Sequence, residues 1–273
     1  LGFTEDDQSR WEQMTRSPNG IVLVTGPTGS GKTTTLYTTL KQLATPEVNV
    51  CTIEDPIEMV EPSFNQMQVQ ANIDLGFPEG VRALMRQDPD IIMIGEIRDL
   101  QTAEMAIQAA LTGHLVLSTL HTNDSAAAVT RMLDLGMPAY LIHSTLLGIM
   151  AQRLIRTLCP KCKKAEPITE EERAIWRSLV APWKANEPAS LHHAVGCLDC
   201  RMTGYTGRVG VYEILLNSPE IRKLIKPALE MPRLREQAYR EGMRPMRISG
   251  ALKVAQGLTT LEEVIKVVPP VEG

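Results

Sequence analysis

The chain has 273 residues, above the usual size of one domain, so one large domain with an appendage or two domains are expected. Its 43% hydrophobic and 22% charged residues exclude a disordered or collagen-like chain. With 28 Lys and Arg against 32 Asp and Glu, a net charge of -4 and 4% aromatics, it lacks the make-up of a duplex-gripping or base-stacking protein, and no direct nucleic-acid contact is expected.

Leu1-Gly2-Phe3-Thr4 offers neither an initiator Met nor a basic-then-apolar signal, and reads as the start of a piece cut from a longer protein. No run of about 18 apolar residues is available to span a bilayer. Residues 5–16 predict a short surface helix, stopped by Ser17-Pro18-Asn19-Gly20. Ile21 to Val24 is a continuous apolar run of the kind buried on both faces of a sheet. A glycine-rich turn and a helix over residues 32–43 follow. Residues 48–53, 91–94 and 115–119 predict further strands. Helical patterns lie between them, one near Val81, Leu84 and Met85, another carrying Ala103, Ala106, Ile107 and Ala110 with Gly113 to stop it. Strands alternating with helices at this pitch mean βαβ units, a mostly parallel sheet and an α/β fold. Residues 125–135 and 139–158 predict two more helices, split by Gly136-Met137-Pro138. Beyond Leu158 the texture turns polar; Thr169 to Glu172 fits a capping box, residues 209–216 read as a strand, and the rest to Val268 as mostly helical. The expected organisation is a core over residues 1–157, a tetracysteine subdomain over 158–206 and a mostly helical region over 207–273.

Gly26-Pro27-Thr28-Gly29-Ser30-Gly31-Lys32-Thr33 satisfies G-x-x-x-x-G-K-[ST], and it stands between a buried strand and a helix, as its mechanism requires. Glycines let backbone N–H groups curl around an anion, and the helix N-terminus adds partial positive charge. Lys32 is expected to reach the β- and γ-phosphates and the Thr33 hydroxyl to ligate Mg²⁺. The binding set is Gly26, Thr28, Gly29, Ser30, Gly31, Lys32, Thr33 and Thr34. Ile91-Ile92-Met93-Ile94-Gly95-Glu96 resembles a Walker B strand with Glu96 in place of the more usual Asp, set to hold the metal directly or through water. Of the acids in Glu54-Asp55-Pro56-Ile57-Glu58, Glu54 is the first choice to take a proton from an attacking water. The strand from Leu115 to Thr119 has His114 at one end and His121 just past the other, and Ser118, Thr119 and His121 are candidates to sense the γ-phosphate. Arg82, Arg86, Arg98, Arg153, Arg156 and Arg208 are candidates to neutralise transition-state charge, with Arg82 and Arg86 expected on one helix face.

Cys159-Pro160-Lys161-Cys162 and Cys197-Leu198-Asp199-Cys200 form two C-x2-C knuckles that match a closed, structural Zn²⁺ site; a redox pair or unligated thiols are the alternatives. Cys51, on a buried strand, is expected to be inert.

These motifs, in this order, resemble the secretion ATPase superfamily, and within it the assembly ATPases of type II secretion systems and type IV pili. The carriers are Gly26 to Thr34, Thr52 to Glu58, Arg86-Gln87-Asp88-Pro89-Asp90 leading to Gly95-Glu96-Ile97-Arg98-Asp99, and Gly113 to Asp124. The four cysteines and Gly207-Arg208-Val209-Gly210-Val211-Tyr212-Glu213 add to the likeness. The resemblance implies a RecA-like P-loop ATPase core working as a homo-hexamer on ATP and Mg²⁺, with Glu54 positioning or activating water and Glu96 serving the metal. His114 and His121 would link the γ-phosphate to domain motion. It also implies an N-terminal PAS-like domain that closes over the nucleotide and supplies arginines. Hydrolysis would drive inner-membrane platform proteins that assemble pseudopili or pili, so the protein would be cytoplasmic and peripherally recruited to the inner membrane. A RecA-type helicase or DNA-uptake translocase, and a non-catalytic nucleotide-sensing adaptor that uses the zinc subdomain to hold a partner, are the alternatives.

Overall fold

Apolar runs without alternation belong inside a sheet covered on both faces, and residues 21–24 and 91–94 are such runs at the centre of the larger of two units. The computed structural model describes residues 1–271. Its elements are α1 (Glu5–Thr15), β1 (Gly20–Thr25), α2 (Lys32–Leu43), β2 (Val50–Glu54), β3 (Asn65–Gln68), α3 (Phe77–Leu84), β4 (Ile91–Ile94), α4 (Leu100–Leu111), β5 (Leu115–Leu120), α5 (Ser125–Asp134), α6 (Ala139–Thr145) and β6 (Leu146–Leu158). The chain continues through β7 (Lys164–Pro167), α7 (Glu170–Val180), β8 (Ser190–His193), β9 (Tyr205–Leu216), α8 (Pro219–Leu224), α9 (Met231–Arg240), α10 (Met246–Ala255) and α11 (Leu261–Val267). Two units form: a larger one of residues 4–151 and 214–243, and a smaller one of residues 1–3, 152–213 and 244 onward.

In the larger unit the strand order is β3-β2-β4-β5-β1, followed by the first residues of β6 (to Ala151) and the last of β9 (from Ile214). The pairs from β3 through to β6 are all parallel. Every residue of β1, β2, β4 and β5 is buried. Because these strands run one way, Thr25, Glu54, Ile94 and Leu120 end along the same edge, the edge where α/β sheets bind ligands. Edge strand β3 is short, polar and partly exposed, which blunts edge-to-edge association.

The helix expected over 139–158 ends at Thr145, and residues 146–158 are strand β6, whose first part pairs with Ile21–Thr25 of β1. The apolar run there carries no period that separates strand from helix, and the non-local pairing decides. Gly148 marks the reason: a Cβ on it would lie 2.3 Å from Met14 Sδ and 2.5 Å from the Leu215 carbonyl oxygen. Helix α1 is likewise more than a surface helix. Thr4 and Asp7 close a capping box at its start, Trp11 and Met14 are buried, and Trp11 Nε1 donates to Thr39 Oγ1 at 3.0 Å.

The smaller unit pairs β7 antiparallel with β8 and packs α10 on α7, β8 and α11. Trp176, Leu179, Leu191, Val211, Ala251 and Val254 are buried there. The capping box expected at Thr169 and Glu172 starts α7, which runs to Val180. No described helix is long and apolar enough to cross a membrane.

Candidate functional site

Between β1 and α2 the chain turns through Gly29 and Gly31, both left-handed, with φ of 79° and 86°. A Cβ at Gly29 would meet nothing within 4 Å, so the backbone conformation, not space, demands glycine there. No side chain caps α2, which leaves its first N–H groups for an anion. Lys32 is buried, and its Nζ donates to the carbonyls of Gly26 at 2.8 Å and Pro27 at 3.0 Å. Burial pushes the Lys32 pKa down, against the pull of Glu96. Thr28 and Thr34 are exposed, Thr33 is half-buried and Ser30 is buried.

Glu96 follows β4 at the same edge. It pairs with Arg98, and His121 Nε2 lies 3.5 Å from its Oε2. Hydrogen bonding from Arg98 holds the Glu96 carboxyl below the usual carboxylate range, although burial works the other way. Arg98 also approaches Asp55 Oδ2 at 3.7 Å, so Asp55, Arg98 and His121, all exposed, form one ion-pair cluster with the half-buried Glu96. The loop after β5 is tied to the end of β1, with Thr25 Oγ1 and Thr122 Oγ1 2.6 Å apart.

Glu54 differs from its neighbours in being buried. Its Oε1 accepts from Tyr37 Oη at 2.6 Å, and its Oε2 from Thr52 Oγ1 at 2.8 Å and Gln66 Nε2 at 3.3 Å. Burial first, then the Glu54 carboxylate, pushes the Tyr37 pKa above its usual range. Sequence reasoning missed Tyr37, Thr52 and Gln66; the signal for the first was a tyrosine five residues after Lys32 on a threonine-rich helix.

Other candidates lie elsewhere. Ser118 Oγ and Thr119 Oγ1 each donate at 2.7 Å, to the carbonyls of Ile94 and Gly95, so these hydroxyls latch the end of β4. His114 precedes β5, and its carbonyl accepts from Gly20 N at the start of β1, which puts it at the opposite edge of the sheet from His121. There it lines a cleft with Arg82 and Arg86, which are on the same side although Arg86 lies just past the end of α3. In the smaller unit Arg156 binds Glu263, with Nε 2.9 Å and Nη2 2.5 Å from Oε1.

The smaller unit also holds the four cysteines. All four Sγ atoms lie within 4.8 Å of one another, with Cys159–Cys197 and Cys162–Cys200 at 3.8 Å and Cys197–Cys200 at 3.7 Å. A tetrahedron with metal–sulfur bonds of about 2.3 Å has edges of about 3.8 Å, so the donor set fits zinc and is too widely spaced for disulfides. Backbone N–H groups of Cys197 and Gly204 donate to Cys200 Sγ at 3.1 and 3.2 Å. Burial raises the Cys200 thiol, but these donors outweigh it and bring its pKa down to about 6. Cys51 is buried on β2 and apart from the cluster.

Residues 1–266 match the family model described as type II/IV secretion system protein. The chain is 56% identical over 269 residues to the type IV pilus assembly ATPase TfpB of Acinetobacter baylyi, covering 98% of this chain and 46% of that one. It is 47% identical over 271 residues to the type II secretion system ATPase E of Vibrio cholerae, covering 98% and 52%. It thus spans about half the length of the curated relatives it matches. Its fold superposes on the crystal structure of the pilus retraction motor PilT with bound ADP at a TM-score of 0.68 and 29% identity, covering 97% of this chain and 63% of that one.

Proposed function

The chain belongs to the type II/IV secretion system protein family, and from that premise we propose that it is the ATP-hydrolysing motor portion of an ATPase that powers assembly of pseudopili or pili at the inner membrane. The observation that carries this is the uncapped start of α2 beside left-handed Gly29 and Gly31, with the buried Lys32 ammonium donating to the carbonyls of its own loop. An ammonium so placed exchanges loop carbonyls for phosphate oxygens by a short swing. In this reading the larger unit is a RecA-like P-loop core. The backbone from Gly26 to Gly31, with Thr28, Ser30 and Thr34, cradles the triphosphate, and Lys32 binds the β- and γ-phosphates.

Thr33 and Glu96 would hold Mg²⁺, which when bound neutralises charge on the phosphate oxygens. Glu54 takes the proton of a water as that water attacks the γ-phosphorus and the bond to ADP breaks. His121, next to Glu96, reports the γ-phosphate to the cluster of Arg98 and Asp55. Cys159, Cys162, Cys197 and Cys200 hold a structural zinc ion with no open position for chemistry. The protein acts as a homo-hexamer, recruited from the cytoplasm to inner-membrane platform proteins. A helicase or DNA-uptake role is not favoured, because the relatives are secretion and pilus-assembly ATPases.

The test is Lys32→Ala in the full natural chain. ATP turnover is expected to fall by at least about a hundredfold, the scale for removing one charge-stabilising donor. Turnover at the wild-type rate by the folded variant would overturn the assignment.

A further inference from the structure

A general base usually keeps its acceptor oxygens toward the reacting water, yet Glu54 has donors on both. They come from three elements: Tyr37 from α2, Thr52 from β2 itself and Gln66 from edge strand β3. Gln66 Nε2 also donates to Tyr37 Oη at 2.9 Å, and the Met59 carbonyl lies 3.1 Å from Tyr37 Oη and 2.9 Å from Gln66 Nε2. The tyrosine has one proton, and the shorter contact to a charged acceptor takes it. Its ring is buried and stacks edge-on against Phe64 at 5.5 Å, so the hydroxyl is fixed from behind.

Building on the reading of Glu54 as the base, we propose that Tyr37 is its positioning residue: the hydroxyl locks the carboxylate in one orientation and, by donating to it, sets how readily it accepts a proton. Lys32 is the first residue of the helix that carries Tyr37, so one helix links the phosphate-binding ammonium to the group that tunes the base. The other groups around the carboxylate leave Tyr37 as its titratable neighbour on α2. Glu58, past β2, acts on Tyr37 as a further negative charge, Asp55 turns to Arg98, β3 contributes neutral Gln66, and the β4 side offers Gly95 without a side chain.

The experiment measures kcat and KM for MgATP across pH on the full natural chain. Glu54→Gln is expected to be slow and to lose the acid limb of the kcat profile. Tyr37→Phe keeps the ring packing; it is expected to leave KM within about twofold, to lower kcat about tenfold through lost orientation, and to move the acid limb up by about one pH unit. The direction follows because a carboxylate that loses a donor is protonated more easily. Thr52→Val removes a donor from the other oxygen and is expected to move the limb the same way, so it carries the test if Tyr37→Phe fails to fold. If Glu54→Gln turns over normally, the base itself is misassigned. If Glu54→Gln is slow but the acid limb stays put in Tyr37→Phe and Thr52→Val, the base stands and the positioning role falls.

Discussion

The phosphate loop of the larger unit and the cysteine knuckles of the smaller one treat their polar atoms in opposite ways. At the loop each charge already has a protein partner: Lys32 its loop carbonyls, Glu54 its hydroxyl donors, Glu96 its arginine. That arrangement holds its shape without a ligand, as the proposed nucleotide cycle would require. At the knuckles four sulfurs crowd within 4.8 Å, and backbone donors favour the thiolate form of Cys200. Burial and the neighbouring sulfurs push the Cys162 thiol the other way, up to about 11, because a second negative charge in so small a space is repelled unless a cation sits among the sulfurs. In the proposed reading the first site serves exchange and the second permanence.

The sharpest way to break that contrast is to test for the proposed zinc ion at the knuckles and remove it. Protein purified without chelator is expected to carry one zinc per chain, and stripping it, or Cys159→Ser, to unfold the region between Cys159 and Tyr205. The loss is on the order of 10 kcal/mol, the scale of structural zinc. Hydrogen exchange checks it: amides near the cysteines should lose protection while those of β1, β2, β4 and β5 keep theirs. Metal-free protein with fully protected knuckles would erase the distinction.

Both sites were legible in the sequence to different depths. The glycine-rich loop and the paired cysteines announce themselves because their chemistry needs fixed spacing. Among the central strands, β1 and β4 do so because burial on both faces leaves unbroken apolar runs, Ile21 to Val24 and Ile91 to Ile94. Residues 146–158 escaped because a run such as Leu146-Leu147-Gly148-Ile149-Met150-Ala151 suits either helix or strand, and its partner β1 lies over a hundred positions away. Strand β3 was invisible for the opposite reason: Asn65 to Gln68 is polar, and only its place beside β2 makes it a strand and brings Gln66 to Glu54. His114 and His121 stand at opposite ends of β5, as the sequence places them.

A second prediction sharpens the exchange side of the contrast. Burial lowers the Lys32 pKa, so the charged side chain opposes folding at every pH below its folded value, and that opposition vanishes above the unfolded value near 10.4. Lys32→Met keeps the volume and removes the charge, at the expense of two hydrogen bonds to the loop. The two effects should nearly cancel, leaving stability within about 1 kcal/mol and the melting temperature within about 2–4 °C. A collapse in melting temperature would show that the loop depends on its lysine for folding as well as for its ligand.

An effect between these two is expected at an ion pair of the smaller unit. Glu263 is 3% exposed and accepts from Arg156 N at 3.0 Å and from the guanidinium at 2.9 and 2.5 Å, while Arg156 also stacks over Tyr205 at 4.0 Å. Burial alone would raise the Glu263 pKa, but the hydrogen bonds from Arg156 outweigh it and hold it below the ordinary carboxylate range. A folded value below the unfolded one means stability that is full above about pH 4.3 and fades as the pH falls through the folded value. Arg156 is partly exposed and rehydrates when its partner goes, so Glu263→Gln should cost about 2 kcal/mol at pH 7, less than the loss of a fully buried pair. Paired melting curves of wild type and variant should differ at pH 7 and converge in acid. A gap that persists unchanged in acid would mean that packing around residue 263, and not its charge, stabilises the unit.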